Sequence, residues 1–355
     1  MTLARRIDNN EFLDSKRLSA DPAADSFIQE VFADPIKKAE LRKWLGNKPG
    51  KNDLKWIKSH YAEVEFIQKA DILPAWADRH LMNKGSALFV KHSKMVMNLL
   101  GLLSLPYCYT AANGAMVLYL SELITRQTTK RLFDTAIFVW EVMGPDAYEA
   151  RGSAYTEILK IRIVHAAVRY HTLLSKKWDD TWGLPINQED MAGTNLSFSL
   201  IVTRGMKKLG IKVSAEDEEA FLHVWSVIGY LMGLDEDLIP QNKQEADHLD
   251  HAIKNREFRA SSHGAELTQS LIDHIMSVNT SKATVDDIIG LMRYLLGNEI
   301  ADMLSMKKVA LPTYKLMLLK SLNFLKQLKP HGPIDKSYHK SYAAFKALNP
   351  VLKTE

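Results

Sequence analysis

The segment Glu157 to Thr172, EILKIRIVHAAVRYHT, sets Arg162, His165 and Arg169 at spacings of three and four residues among apolar neighbours. At 3.6 residues per turn these three side chains stack on one face of a helix. Two chemistries suit such a stripe. A buried polar network would pair each guanidinium with an acid elsewhere, because an unpaired buried charge is expensive. Asp134 and Glu141 are the candidate partners. A cofactor site would instead use the imidazole as a ligand to haem iron, with the arginines meeting propionates or bound oxygen. Helical scaffolds suit this second use, since a flat macrocycle slots between packed helices. Val164, Ala166, Ala167 and Val168 are small enough to let one approach.

Other chemistry-bearing residues carry weaker signals. Asp247, His248 and His251 lie in EADHLDHAIKNRE, where two histidines three apart could hold a metal. The segment is so densely charged that a solvated helix face is the simpler reading. His223 sits among Phe221, Val224 and Trp225 and reads as a core histidine, and His263 precedes Gly264 at a helix start. A phosphate-binding loop, a strand-linked GxGxxG, HExxH, paired CxxC and GxSxG are all missing from the sequence.

The elements that must hold the stripe are helical. Helical periodicity predicts helices over 24–45, 51–70, 86–104, 111–125, 131–143, 152–176, 188–209, 215–233, 243–255, 262–277, 284–303 and 313–327, with few β-rich runs. Asn187, Ser214 and Thr284 are suited to cap helix starts, and Gly210 and Gly233 to end helices. Trp182, Gly183 and Pro185 form a rigid turn ahead of Asn187. The apolar run 95–120 is interrupted by Asn98, Pro106 and the Asn113-Gly114 turn signal. It predicts two buried helices joined at Leu105-Pro106, as plain core, as the wall of an apolar channel, or as a membrane-facing surface. The fold class expected is all-α: a single large helical domain at 71–310, an N-terminal helical arm at 1–70, and a C-terminal helix with a basic, turn-rich tail at 311–355.

Composition limits the function. The chain has 355 residues, 46% hydrophobic and 25% charged, which is ordinary for a globular protein. A net charge of +4 with mixed signs argues against a nucleic-acid partner. The single cysteine, Cys108, excludes an internal disulfide, and the N-terminal MTLARRIDNNEFLDSKR has no apolar signal core. A cytoplasmic protein is expected, with peripheral membrane contact as an option.

The series LPAWAD (73–78), LPYCY (105–109), KRLFDT (130–135), RIVHAAVR (162–169), WGLPINQEDMAGT (182–194) and LMGLDEDLIP (231–240) resembles the MpaB-type and latex-clearing-protein oxygenase family, in that family's order. The resemblance implies a helical domain with a globin-like core and haem b. It also implies a chemistry in which dioxygen cleaves carbon–carbon double bonds of isoprenoid chains to aldehydes or ketones. Arg162 matches the family's pocket arginine. His165 falls where rubber-cleaving members carry a distal lysine and many MpaB-like members carry this histidine, and Ala166 falls where the former carry a threonine. One departure stands out. Where those members place the proximal histidine this chain reads Thr194-Asn195-Leu196-Ser197, and no histidine occurs between 172 and 222. Three outcomes stay open: His165 is the axial ligand, His223 or His263 serves instead, or haem is lost.

The resemblance therefore implies a haem-dependent oxygenase acting on a hydrophobic or isoprenoid substrate with dioxygen. His165 would be the iron ligand, Arg162 would orient an oxygen species or a propionate, Arg169 would meet a propionate, and Thr194 would lie beside the cofactor. The rivals are a non-catalytic lipid- or isoprenoid-binding or interaction protein of the same fold, and a non-haem metal enzyme using His248 and His251.

Overall fold

A computed structural model describes residues 3–7, 10–47, 53–121, 123–327 and 333–347. The first helices are α1 (Leu3–Ile7), α2 (Asn10–Arg17), α3 (Pro22–Ala33), α4 (Pro35–Leu45), α5 (Leu54–His60) and α6 (Glu65–Gln68). Next come α7 (Arg79–Leu99), a π-helical turn (Leu100–Ser104), α8 (Leu105–Thr110), α9 (Ala112–Leu120), α10 (Leu123–Val142) and α11 (Ala154–Leu174). The chain continues through α12 (Gln188–Phe198), α13 (Leu200–Lys208), α14 (Ala215–Leu231), α15 (Lys243–Glu257) and α16 (Ser262–Val278). It ends in α17 (Val285–Leu296), α18 (Asn298–Met303), α19 (Thr313–Gln327) and α20 (Ile334–Ala347). The fold is all-α. Among the described residues the only β feature is one isolated antiparallel bridge, Ala111 to Phe258.

Local chemistry explains the boundaries. Asn187 accepts from the Asp190 amide, Ser214 from that of Asp217, and Thr284 forms a reciprocal capping box with Asp287. Gly210 and Gly233 stop their helices at positive φ, 80° and 92°. Several expected helices are divided, and 51–70 becomes α5 and α6 with a break at 61–64. The 24–45 span breaks at Asp34, whose carboxylate caps α4 while Pro35 fills its first turn. The 188–209 span breaks at Ser199, and 284–303 breaks at Gly297, φ 90°. The tail expected to be turn-rich holds helix α20, while 328–332 and 348–355 of that tail lie outside the described residues.

The run 95–120 departs most from expectation. Helix α7 passes through the π turn straight into α8, and Pro106, which has no amide to donate, sits directly after the π turn without ending the helical path. The break falls at Ala111, ψ 85°. Asn113-Gly114 is no turn; it lies inside α9. Val96, Leu99, Leu103, Tyr107, Tyr109, Ala115 and Val117 are all buried, so this run is core rather than a membrane face.

Helix α7 packs along α14, and α11 packs against α3, α10 and α14. Helix α12 is surrounded by α2, α8, α13, α14 and α15. The larger apolar cluster includes Phe89, Trp140, Phe221 and Trp225. A second unites Leu13 of α2 with Leu196, Leu200, Leu222 and Leu249. The N-terminal helices are thus built into the packing around α11 and α12.

Candidate active site

Both stripe arginines are paired, but not with the acids expected. Arg162 makes a bidentate contact with Asp21, Nε to Oδ2 at 2.6 Å and Nη2 to Oδ1 at 3.0 Å, and lies 4.9 Å over the Phe66 ring. Arg169 donates from Nε to Asp25 Oδ1 at 2.7 Å and from Nη1 to the Ile186 carbonyl at 3.3 Å. Asp134 instead pairs with Lys130, and Glu141 is held by Ser153 and Tyr342. The reason is geometric: α3 packs directly on α11, with Asp21 as its N-cap and Asp25 one turn on. Ile186 holds its carbonyl toward Arg169 at φ 51°, an unfavourable conformation for a β-branched residue.

His165 lies between the two pairs. Its Nδ1 is buried without a hydrogen-bond partner, and so is Nη2 of Arg169. Burial, then the nearby Arg169 charge, push the imidazole down to about 4, so it is neutral at pH 7. Ile161, Val164, His165 and Val168 recur at three- and four-residue spacing, and all keep accessible surface; Val164 is 36% exposed. Helix α11 therefore shows an unfilled apolar wall with one imidazole set in it.

Groups around that wall have unused capacity as well. Arg131 on α10 is within electrostatic reach of His165 and of Tyr109 on α8. Burial lowers its affinity for a proton, and it is a part-buried cation with no ion-pair partner among the described residues. Next to Tyr109, Cys108 donates to Ser197 Oγ at 3.0 Å, and burial pushes its thiol up to about 11. Thr194 is exposed although α12 is enclosed by five helices. These residues lie on α8, α10, α11 and α12.

Behind α12 lies a buried acid cluster. Arg17 Nη1 meets Glu189 Oε2 at 3.4 Å, Asp190 Oδ1 at 3.3 Å and Glu257 Oε2 at 2.9 Å, and Arg256 Nε meets Glu189 Oε1 at 2.8 Å. Two guanidiniums face three carboxylates. Burial, together with Glu257 and Glu189, raises Asp190 to about 7 against the opposing pull of Arg17. A Cβ on Gly114 would come within 2.9 Å of Asp190 Oδ1, so glycine there lets α9 cross α12 closely.

The remaining sequence candidates are placed as follows. Leu196, at the position of the family's proximal ligand, is 1% exposed inside the second apolar cluster. His223 accepts the Asp78 amide through Nε2 at 2.8 Å, and His263 Nε2 donates to the Ala112 carbonyl at 2.7 Å. His251 bonds Asn255, and Asp247 is held by Arg204 and Lys243. Among the described residues no three metal-binding side chains gather together. A cleft of about 290 Å³ lined by Trp76, Asp78, His223, Ser226 and Ile239 includes none of the stripe. The sequence points to none of Asp21, Asp25 and Arg131 as site residues, and to Asp190 only as the third residue of the helix that Asn187 caps. Asp21-Pro22 is a legible cap signal, and Arg131 lies in the KRLFDT motif.

An all-helical fold with a part-buried imidazole and two paired guanidiniums along one face of α11 defines the class, an all-α protein with a polar stripe set in an apolar helix face. The chain belongs to the oxygenase family described as "ER-bound oxygenase mpaB/B'/Rubber oxygenase, catalytic domain", whose model matches residues 92–321. It is 28% identical over 295 residues to a rubber oxygenase of Streptomyces sp. (strain K30), covering 79% of this chain and 72% of the relative. Its fold is similar to that of a latex clearing protein solved in the closed state, with TM-score 0.72, 25% identity, and coverage of 92% of this chain and 90% of the other.

Proposed function

We propose that this protein is a haem b-dependent oxygenase that uses dioxygen to cleave carbon–carbon double bonds of a hydrophobic, isoprenoid-like substrate. The observation that carries the proposal is His165: a neutral, half-buried imidazole with no hydrogen bond among the described residues, set in an apolar wall. A neutral imidazole is what iron ligation requires. The surrounding residues fit the group. Among the described residues Nη2 of Arg169 has no hydrogen-bond partner and Arg131 no ion-pair partner, and both suit the carboxylates of a macrocycle. Haem, when bound, supplies the activation of dioxygen that no side chain can provide.

The chain's own residues have separable roles in this reading. His165 holds the iron. Arg131 and Arg169 hold carboxylates. Arg162, with Nε and Nη2 engaged by Asp21, fixes α3 against α11 and so sets the height of the stripe. Ile161, Val164 and Val168 line the path for an apolar chain and exclude water from it. Cys108 stays a protonated thiol at neutral pH and does not compete for iron as thiolate.

The pairing of both stripe arginines with aspartates favours a second reading, a non-catalytic isoprenoid-binding protein of the same fold. Incubating haem-reconstituted protein with a polyisoprene or short isoprenoid in air, and trapping carbonyl products with a hydrazine reagent, separates the two. Carbonyl products with matching oxygen uptake support the oxygenase. Binding of the isoprenoid without oxygen uptake supports the carrier.

A further inference from the structure

Helix α19 has its apolar side outward. Its inner face carries Asn323, 5% exposed, whose amide donates to the Leu209 carbonyl at 3.0 Å, and Gln327, which bonds the Gly210 carbonyl. Its outer face carries Tyr314, Met317, Leu318, Leu322, Phe324 and Leu325, between 44% and 67% exposed. On a wheel of 100° per residue these six fall within about 160° of one another, an apolar arc with Ser321 as the one polar residue inside it. Lys315 and Lys320 lie at its two edges, the first paired with Asp287 and the second over the Tyr294 ring. A helix that only stabilised the fold would turn its leucines inward and its polar residues outward. This one keeps Leu316 and Leu319 partly buried, the latter against the main core, but turns its other large apolar side chains outward.

Charge identifies what covers the face. Nine lysines and one aspartate fall between positions 307 and 347, whereas the whole chain carries only +4, so the rest of the chain is net negative. Lys307, Lys308 and Lys315 are paired with Asp286, Asp302 and Asp287, and the segment stays basic beyond them, so two copies meeting through α19 would bring like charges together. A single 15-residue helix face is also small beside the roughly 800 Å² per partner of a stable protein interface. An apolar stripe edged by lysines is what an interfacial helix presents to a membrane, with apolar side chains in the acyl boundary and ammonium groups among anionic headgroups. Among the described residues no helix is long and apolar enough to cross a bilayer, so the contact would be peripheral. From this geometry we infer that α19 is a membrane-docking helix that seats the protein on an anionic lipid surface. The inference is independent of the haem reading, because it rests on residues outside the site.

The test is co-sedimentation of the full-length protein with vesicles of phosphatidylcholine alone and of phosphatidylcholine with 30% phosphatidylserine, read as bound protein and not as activity. The wild type is expected to bind the anionic vesicles, to bind more weakly at 0.5 M salt, and to bind neutral vesicles least. Leu318→Gln with Leu325→Gln changes two side chains that are 59% and 56% exposed, so the fold should persist by circular dichroism. Affinity for anionic vesicles should then fall by about tenfold or more. No sedimentation of the wild type at millimolar lipid would overturn the inference, as would binding that the double variant leaves unchanged. A wild-type dimer in solution that the double variant converts to monomer would also overturn it, identifying a second copy as the occupant.

Discussion

Asp21→Ala tests whether the stripe is held from the N-terminal arm. Asp21 is 5% exposed and meets Arg162 with two short contacts, so its removal leaves a guanidinium of 18% side-chain exposure stacked only on Phe66. Breaking a buried pair from one side destabilises by about 3–5 kcal/mol, and the residual exposure of Arg162 places this case at the lower end. Asp21 also accepts the Ala24 amide as the α3 cap, at a long 3.3 Å, which contributes up to about 1 kcal/mol. The expected total is therefore about 3–4 kcal/mol by urea denaturation. Asp21→Asn keeps an acceptor at the cap and should lose about half of that. The double variant Asp21→Asn with Arg162→Gln should fall short of the sum of its parts by about 1–3 kcal/mol. A loss below about 1 kcal/mol for Asp21→Ala, with additive behaviour in the cycle, would refute the claim that this pair clamps α3 to α11.

Two titrations with opposite signs give a pH prediction. Asp190 has its folded value raised to about 7, so stability falls as pH rises from about 4 to 7, by at most about 4 kcal/mol. His165 has its folded value lowered to about 4, so stability falls as pH drops from about 6.5 to 4, by at most about 3 kcal/mol. In the wild type the two largely cancel. Asp190→Asn should unmask the histidine, with stability rising from pH 4 to 6.5, and urea midpoints that still fell with pH in that variant would contradict the assignment. Gly183→Ala adds a Cβ at φ 80° that would lie 2.7 Å from the Arg17 carbonyl. It should destabilise by more than about 1–2 kcal/mol and disturb the Arg17 acid cluster; a thermal midpoint equal to wild type would rule this out.

The helical class was legible because periodicity and caps are local. Asn187, Ser214, Thr284, Gly210 and Gly233 act as their residue types dictate. The breaks at Ser199 and Ala111 were harder to see, because helical propensity runs through them and only packing divides the chain, whereas Asp34-Pro35 carries the same cap signal as Asp21-Pro22. Pro106 misled for the opposite reason: the helical path carries through it directly after a π turn, and the break comes only at Ala111. In the site, the stripe on α11 could be read from spacing alone. Its partners could not, because Asp21 and Asp25 lie about 140 residues away in the chain, and a carboxylate near in sequence, such as Asp134, carries no record of which way its helix turns. Arg131 was equally hidden, since nothing in a sequence distinguishes an unpaired buried arginine from a solvated one.

The account turns on His165 as the iron ligand. The most direct measurement is the absorption spectrum of the full chain, purified with ample haem, beside that of His165→Ala. The wild type is expected to show a Soret band at one haem per chain, and the variant to lose or shift that band while keeping its helical circular dichroism. A wild type that takes up no haem on reconstitution, or a Soret band identical in both proteins, would contradict the account.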